Sequence, residues 1–293
     1  MSHPFFDTRR PLLFAHRGGS GLAPENTIAA FDRAAALDVD GLELDVRLSR
    51  DGVVVVHHDR DLARTTDRRG GVEDATADEL ARADAAFRFT PAGGPEATYP
   101  LRGQGIGVPT LESVLRRYRD LRVIVELKLN EPELAVAVLD VVRAAGADER
   151  VCLGSFGRRV LYTARQRARH VATSAAREEV RWALYRSWVH WPVHRVTYGG
   201  YQVPELAGST RVVSPRFIGD AHEAGLAVQV WTVDRPDDAR RLLEWGTDAI
   251  ISDRPDVMRP LFAALAFQGG TQPQGAAPPA APPGPGPADA APR

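Results

Sequence analysis

The chain has 293 residues, a formal net charge of -1 and a hydrophobic content of 44%. These values are typical of a globular protein with a substantial core, and they give no global field that would attract nucleic acid or an anionic membrane. The single cysteine, Cys152, excludes an internal disulfide, and the N-terminus has no apolar segment of signal-peptide type. No apolar run reaches the length of a membrane span, so we expect a soluble, cytoplasmic protein without a transmembrane segment.

The first predicted strand begins at Leu12 and ends at the glycine-rich loop His16–Gly19. A helix follows, with Asn26 or Thr27 as its N-cap.

The second predicted strand, Gly41–Val46, carries Glu43 and Asp45. Side chains at i and i+2 share one face of a strand, so the two carboxylates lie side by side. If they are buried, they require a shared proton, a cationic partner or a metal ion. Two exposed strand carboxylates are the alternative.

A turn over Ser49–Gly52 leads to a short strand, Val53–Val56, which is followed by His57 and His58. A parallel crossover needs about a dozen residues, and this connection is shorter. We therefore expect an antiparallel ribbon that returns one of the two histidines towards Glu43 and Asp45.

Two segments fall outside the regular pattern. Residues 60–109 predict a loop-rich insertion, a lid or binding element, with one short helix at Ala77–Ala83. Residues 268–293 are rich in Gly, Ala, Pro and Gln and predict a disordered tail, with docking to a proline-binding partner as the alternative. The expected organisation is one domain over residues 1–267, followed by the tail.

Strands and helices alternate after Pro109 with short loops, which favours a parallel sheet. Counting strand–helix units over the whole domain predicts a (β/α)8 TIM barrel, with an open doubly wound sheet as the alternative. The eight predicted strands begin near Leu12, Leu42, Val123, Val151, Val171, Tyr201 or Val212, Val228 and Ala249.

The candidate functional side chains lie where predicted strands end, which is where barrels place their active sites. His16 ends the first strand, Glu43 and Asp45 the second, and Glu126 and Lys128 the third. Three hard oxygen donors suit Mg²⁺ or Ca²⁺.

The cations and histidines suit phosphate chemistry. Arg17 and Lys128 supply positive charge for an anionic group, and two histidines suit acid/base catalysis. Lys128 is the only lysine in a chain with 37 Lys and Arg, which indicates a place where arginine does not serve, with chance retention of one neutral lysine as the alternative. Together these residues predict a phosphodiester-cleaving site.

An ordered set of motifs resembles the glycerophosphodiester phosphodiesterase family from about Leu12 to Pro255. The matching motifs are His16-Arg17-Gly18, Ala23-Pro24-Glu25-Asn26-Thr27, Glu43-Leu44-Asp45-Val46, Asp51-Gly52 with His58-Asp59, Arg64-Thr65-Thr66, Pro109-Thr110-Leu111-Glu112, Glu126-Leu127-Lys128, Ser155-Phe156, Trp231-Thr232-Val233 and Ser252-Asp253-Arg254-Pro255.

The resemblance implies a (β/α)8 barrel with an insertion after its second strand. It implies hydrolysis of small glycerophosphodiesters to an alcohol and glycerol 3-phosphate, an activity of lipid metabolism. The implied roles are metal binding by Glu43, Asp45 and Glu126, acid/base catalysis by His16 and His58, and substrate binding by Arg17, Lys128 and Trp231. His57 does not match the family and should face away from the site.

Two alternatives remain beside this function. One is lysophospholipase D or sphingomyelinase D-like activity on a similar barrel, and the other is a non-catalytic phosphate-binding barrel. The segment from Gly157 to Thr210 departs from the family and carries Trp182, Tyr185, Trp188 and Trp191 at three-residue spacing. We expect a helix whose rings pack on the barrel, with an exposed ridge for lipid or a partner as the alternative.

Overall fold

The structure is a computed structural model, and it describes residues 3–92, 94, 98–191 and 196–269, without the side chains of residues 266–269. Eight parallel strands surround the core: β1 Leu12–Ala15, β2 Gly41–Leu48, β4 Arg122–Leu127, β5 Val151–Gly154, β6 Ala172–Thr173, β7 Gly200–Pro204, β10 Ala227–Trp231 and β11 Ala249–Ser252. Three short strands lie outside this ring: β3 Val54–Val56, β8 Leu206–Ala207 and β9 Thr210–Arg211.

The helices alternate with these strands: α1 Ile28–Ala36, α2 Ala77–Ala81, α3 Leu111–Arg117, α4 Pro132–Ala144, α5 Arg158–Arg167, α6 Arg177–Trp188, α7 Pro215–Glu223, α8 Pro236–Glu244 and α9 Pro255–Gly269. Single 3-10 turns cover His16–Gly18 and Val72–Asp74. Thr27 caps α1 by accepting a hydrogen bond from the backbone N–H of Ala30 at 3.2 Å. Thr27 is one of the two N-caps that the sequence predicted.

The strands follow the order β6-β5-β4-β2-β1-β11-β10-β7. A parallel bridge between Ser174 and Gly200 joins the two ends of this order between β6 and β7. The predicted (β/α)8 barrel is therefore confirmed, and the open sheet is excluded.

The sixth barrel strand is β7, which contains Tyr201. The alternative start at Val212 is wrong, because Val212 follows the small antiparallel hairpin of β8 and β9 and hydrogen-bonds back to Glu205.

Side chains alternate between two apolar layers along each barrel strand. On β4, Val123 and Val125 pack outwards in the large cluster shared with the helices, whereas Ile124 points inwards. Phe5 and Phe14 close the barrel interior with Ile124. Gly41 makes room for the Phe14 ring, since a Cβ there would lie 2.3 Å from it. The polar side chains at the carboxyl ends of the strands therefore lie above an apolar barrel interior.

The ribbon after the second strand is antiparallel, as predicted. β2 continues three residues past Asp45 to Leu48, because its last residues pair with β3 and no longer with the barrel. Residues 60–109 contain α2 and build a small apolar cluster against Val55 of β3, with Leu62, Val72, Leu80, Ala85 and Val108.

The C-terminal boundary differs from the prediction. Gln268 and Gly269 belong to α9 rather than to a tail, and residues 270–293, the rest of the predicted disordered tail, lie outside the described residues. Among the described helices, none combines the length and apolar character needed to cross a membrane. The cytoplasmic location stays a prediction.

Candidate active site

A cavity of about 670 Å³ opens at the carboxyl ends of the barrel strands. Most residues that the sequence predicted for the site line it: His16, Arg17, Glu43, His58, Glu126, Lys128 and Trp231. Asp45 lies at its base with a side chain that is 1% exposed. The structure thus brings all the predicted site residues to one place.

Three carboxylates form the base of the cavity. Glu43 and Asp45 come from β2, and the register of β2 and β4 places Glu126 directly beside Asp45. One oxygen of each residue lies within 4.8 Å of the others, so the cluster could hold a metal ion. Burial and the neighbouring charge of Asp45 raise the pKa of Glu43 to about 7. Glu43 therefore resists ionisation in this cluster unless a further cation joins it.

The two carboxylate oxygens of Asp45 have different surroundings. Oδ2 accepts a hydrogen bond from Asn26 Nδ2 at 2.8 Å and lies 3.2 Å from Arg17 Nε. Oδ1 is buried and makes no hydrogen bond within the described residues, although Lys128 Nζ lies 3.1 Å away. Burial would raise the pKa of Asp45, but Lys128 and Arg17 lower it below its ordinary value. An ionised oxygen without a hydrogen bond, in a cluster of oxygen donors, fits a hard divalent cation.

Each candidate histidine is held by an aspartate. His16 Nδ1 lies 2.7 Å from Asp253 Oδ1, and His58 Nδ1 lies 2.5 Å from Asp59 Oδ1. Burial raises the pKa of both aspartates, but hydrogen bonds and cations outweigh it and hold the pKa below its ordinary value. An ionised aspartate can only accept, so each histidine donates from Nδ1 and leaves Nε2 to react.

His16 carries a positive charge at neutral pH in this arrangement. Burial lowers its pKa, but Glu43 and Asp253 outweigh burial and raise the pKa to about 9. His16 Nε2 lies 3.8 Å from Glu43 Oε2, so the proton sits at the edge of the carboxylate cluster.

Sequence reasoning gave no role to Asp59 or Asp253, although both lie in the matched motifs. Asp253 follows β11, which neighbours β1 in the barrel, and this adjacency places it beside His16 despite a separation of 237 residues. The only sequence signal was an acidic residue directly after a predicted barrel strand.

We expect Asp253→Asn and Asp59→Asn each to lower kcat roughly 10-fold to 100-fold with little change in KM, because an amide no longer fixes the tautomer of its histidine. Since Asp253 raises the pKa of His16, the limb of the pH–rate profile that reports His16 should move to lower pH in Asp253→Asn. The control is Asp61→Asn, an exposed neighbour of the ribbon. Steady-state kinetics across pH test this, and an unchanged kcat in both variants would contradict it.

Lys128 is enclosed by the carboxylates. Its side chain is 10% exposed, with Nζ at 3.0 Å from Glu126 Oε1 and 3.1 Å from Asp45 Oδ1. Burial lowers the pKa of Lys128, but these two carboxylates outweigh burial and raise it, so the amine stays charged.

Arg17 begins a chain of ion pairs that reaches His58. Arg17 Nη1 lies 3.0 Å from Glu25 Oε1, and Arg64 Nη2 lies 2.7 Å from the same oxygen. Arg64 also pairs with Asp59, the partner of His58. This series of ion pairs holds the guanidinium of Arg17 at the cavity wall.

His57 faces away from the cavity, as predicted. Its side chain is buried beneath the insertion, where Nε2 lies 3.5 Å from the carbonyl oxygen of Asp61, and His57 is absent from the cavity lining. Trp231 forms part of the cavity wall and meets Phe156 edge to face, with ring centroids 6.1 Å apart.

The prediction that the rings of α6 pack on the barrel is wrong. α6 packs through Ala183, Leu184 and Ser187, and its aromatic side chains are exposed. Helical spacing identified one face, but Ala183, Leu184 and Ser187 rather than the aromatic residues occupy the face that is buried.

The barrel and the polar base of its cavity define an enzyme of the TIM-barrel class. The chain matches the model of the glycerophosphoryl diester phosphodiesterase family over residues 16–257. It is 30% identical over 255 residues to a glycerophosphodiester phosphodiesterase of Caldanaerobacter subterraneus, a match that covers 85% of this chain and 96% of that protein. The chain therefore belongs to the glycerophosphoryl diester phosphodiesterase family.

Solved structures agree with this family. The glycerophosphoryl diester phosphodiesterase domain of a Mycobacterium tuberculosis protein superposes with a TM-score of 0.76 at 25% identity, covering 86% of this chain and 99% of that chain. An Oleispira antarctica phosphodiesterase, solved in complex with the product sn-glycerol-3-phosphate, gives a TM-score of 0.69 at 26% identity, covering 87% of this chain and 97% of that chain.

Proposed function

We propose that this enzyme hydrolyses small glycerophosphodiesters to an alcohol and glycerol 3-phosphate in the cytoplasm, with Mg²⁺ or Ca²⁺ bound by Glu43, Asp45 and Glu126. The observation that carries the proposal is the position of two aspartate-anchored histidines at the cavity that contains this carboxylate cluster. The product bound to the Oleispira antarctica relative supports the same substrate class.

The cationic residues and the two histidines have different roles in this reaction. Arg17 and Lys128 provide positive charge for the phosphate oxygens. A bound divalent ion would polarise a phosphoryl oxygen and stabilise the charge that develops on it. One histidine accepts the proton of the attacking hydroxyl through Nε2 as the new P–O bond forms. The other gives a proton to the oxygen of the leaving alcohol as the old P–O bond breaks.

The attacking hydroxyl has two possible sources. A neighbouring hydroxyl of the glycerol group would give a cyclic phosphate that water then opens, and water itself would give glycerol 3-phosphate directly. Both routes need the same pair of histidines.

One alternative activity has a specific observation in its favour. The outer wall of the cavity is apolar at Val180, Leu184 and Val212, a surface that suits the acyl chain of a lysophospholipid. This is the lysophospholipase D or sphingomyelinase D-like alternative. A non-catalytic phosphate-binding barrel would leave both aspartate–histidine pairs without a role.

The test is product formation from glycerophosphocholine, glycerophosphoethanolamine and lysophosphatidylcholine, each with Mg²⁺, with Ca²⁺ and with chelator. We expect glycerol 3-phosphate and free alcohol from the first two substrates. Choline release from the lysolipid alone would favour the alternative activity. A chain that cleaves none of them under any condition would overturn the proposal.

We expect Lys128→Arg to lower kcat/KM by about 10²-fold although the charge is retained, because a guanidinium fork does not fit where Nζ touches two carboxylates and would displace the reacting groups. Lys128→Met should in addition raise the inhibition constant of glycerol 3-phosphate. Steady-state kinetics and product inhibition of both variants measure these effects. Near wild-type kcat/KM in Lys128→Arg would remove Lys128 from the phosphate site.

A further inference from the structure

The aromatic ridge is formed by Trp182, Tyr185 and Trp188 of α6 and by Trp191 just after the helix, and it is open to solvent. Its rings are 65%, 50%, 58% and 61% exposed in that order. Trp182 and Tyr185 support each other edge to face, with ring centroids 6.1 Å apart. A cluster of exposed aromatic side chains is unusual for a surface that meets only water, so the ridge suits an apolar partner.

Arginines without an ion pair among the described residues lie on α6 and at the start of α5. Arg177 and Arg181 on α6, and Arg158 and Arg159 at the start of α5, are exposed and have no ion pair among the described residues. The two helix starts are in contact, because the backbone N–H of Arg177 donates to the carbonyl oxygen of Phe156 at 3.3 Å. The Arg177 guanidinium also lies 4.7 Å from the centroid of the Phe156 ring.

Negative charge is scarce at this place. Of the two carboxylates on α6, Glu179 is held by Arg165 at 2.7 Å, which leaves Glu178 as the exposed one. The whole chain has a formal net charge of -1, so this local cationic surface differs from the molecule's average. The surface therefore suits an anionic as well as an apolar partner.

The surface is continuous with the catalytic cavity. Arg177, Arg181 and Trp188 also line the cavity wall, together with Val180 and Leu184 between them. An occupant seated on the ridge would face the mouth of the active site.

We propose that the aromatic ridge and its four arginines dock the enzyme on the surface of an anionic phospholipid membrane, with the mouth of the cavity turned towards the lipid. Tryptophan and tyrosine rings occupy the headgroup level of a bilayer, and arginines beside them contact anionic headgroups. The proposal does not depend on which diester is hydrolysed, although Arg177, Arg181 and Trp188 also line the cavity.

The experiment is co-sedimentation of the full chain with vesicles of phosphatidylcholine alone or of equal parts phosphatidylcholine and phosphatidylglycerol. We expect binding to the anionic vesicles that weakens with added salt. Trp182→Ser with Tyr185→Ser should lower the vesicle partition coefficient at least about tenfold. The matched variant Trp182→Phe with Tyr185→Phe keeps apolar rings and should keep most of the binding.

The charge contribution has its own matched pair of variants. Arg158→Gln with Arg159→Gln should lower binding to anionic vesicles about tenfold. Arg167→Gln with Arg169→Gln removes the same charge from exposed residues at the opposite end of α5 and should leave binding unchanged. None of the substituted residues lines the cavity, so hydrolysis of soluble glycerophosphocholine should be unchanged in every variant.

Three results would overturn the proposal. These are no binding of the wild-type chain to anionic vesicles, equal binding by the serine variant, and equal loss in both arginine pairs. A dimer in light scattering that dissociates in the serine variant would also overturn it, since the occupant would then be a second copy of the chain.

Discussion

Exhaustive chelation is expected to abolish hydrolysis, and Mg²⁺ or Ca²⁺ is expected to restore it. The oxygens of three carboxylates lie within 4.8 Å of one another, and burial beside Asp45 raises the pKa of Glu43, so a divalent cation is needed to keep Glu43 ionised. Glu43→Gln with Asp45→Asn should lower kcat/KM by about 10³-fold or more, the scale of losing charge stabilisation in a transition state. Glu133→Gln, which removes an exposed carboxylate from α4, is the control.

A second consequence of this site concerns the stability of the protein and can be measured without substrate. The pKa of Glu43 is about 7 in the folded chain against an ordinary value of 4.5. Between these values the folded chain keeps a proton that the unfolded chain has lost, so the stability of the metal-free protein falls as pH rises through this window. A divalent ion displaces that proton, and the increase in Tm that it produces should grow over the same pH range.

Thermal unfolding with chelator or with added metal, measured across this pH range, tests the ion independently of catalysis. A metal-induced increase in Tm that is equally large in Glu43→Gln with Asp45→Asn would place the ion elsewhere. Full activity after chelation would exclude the proposed metal.

Local periodicity in the sequence predicted much of the fold and the position of the carboxylates at the base of the cavity. Alternating strands and helices defined the barrel, and the spacing of Glu43 from Asp45 placed both side chains on one face without any knowledge of the fold. The short turn after β2 predicted the antiparallel ribbon, but the choice of His58 over His57 came from the resemblance to the family. Each of these features depends on neighbours in sequence.

Features that depend on distant parts of the chain could not be read in this way. The contact of Asp253 with His16 exists because β11 lies beside β1, and Arg64 reaches Glu25 only because the insertion folds back over the loop after β1. The sixth strand was ambiguous because Tyr201 and Val212 both start β-prone segments, and pairing with β10 selects the first. The exposure of the α6 rings follows from which helix face meets the barrel.

Replacing either cavity histidine by alanine is expected to lower kcat by roughly 10²-fold or more, the usual contribution of an acid/base group. In both His16 and His58, Nδ1 is held by an aspartate and Nε2 is left to transfer the proton. His57→Ala is the control from the same ribbon. It should lower Tm, because a buried side chain is lost, and keep kcat.

Loss of kcat in His57→Ala equal to that in His58→Ala would show that the ribbon is one residue out of register. It would also break the assignment of His58 to the site.

The two histidines can be given separate roles with a second substrate. 4-Nitrophenol leaves without protonation, so a glycerophosphodiester with this leaving group no longer needs the general acid but still needs the general base. The alanine variant of the acid should therefore recover most of its activity on the 4-nitrophenyl ester, whereas the variant of the base should not. The pKa of His16 is about 9 in this arrangement of charges, so His16 holds a proton that it can donate at neutral pH. His16→Ala is therefore the variant expected to recover activity on the 4-nitrophenyl ester. Recovery by His58→Ala alone would reverse the two roles, and recovery by neither would show that the histidines position the phosphate and do not transfer protons.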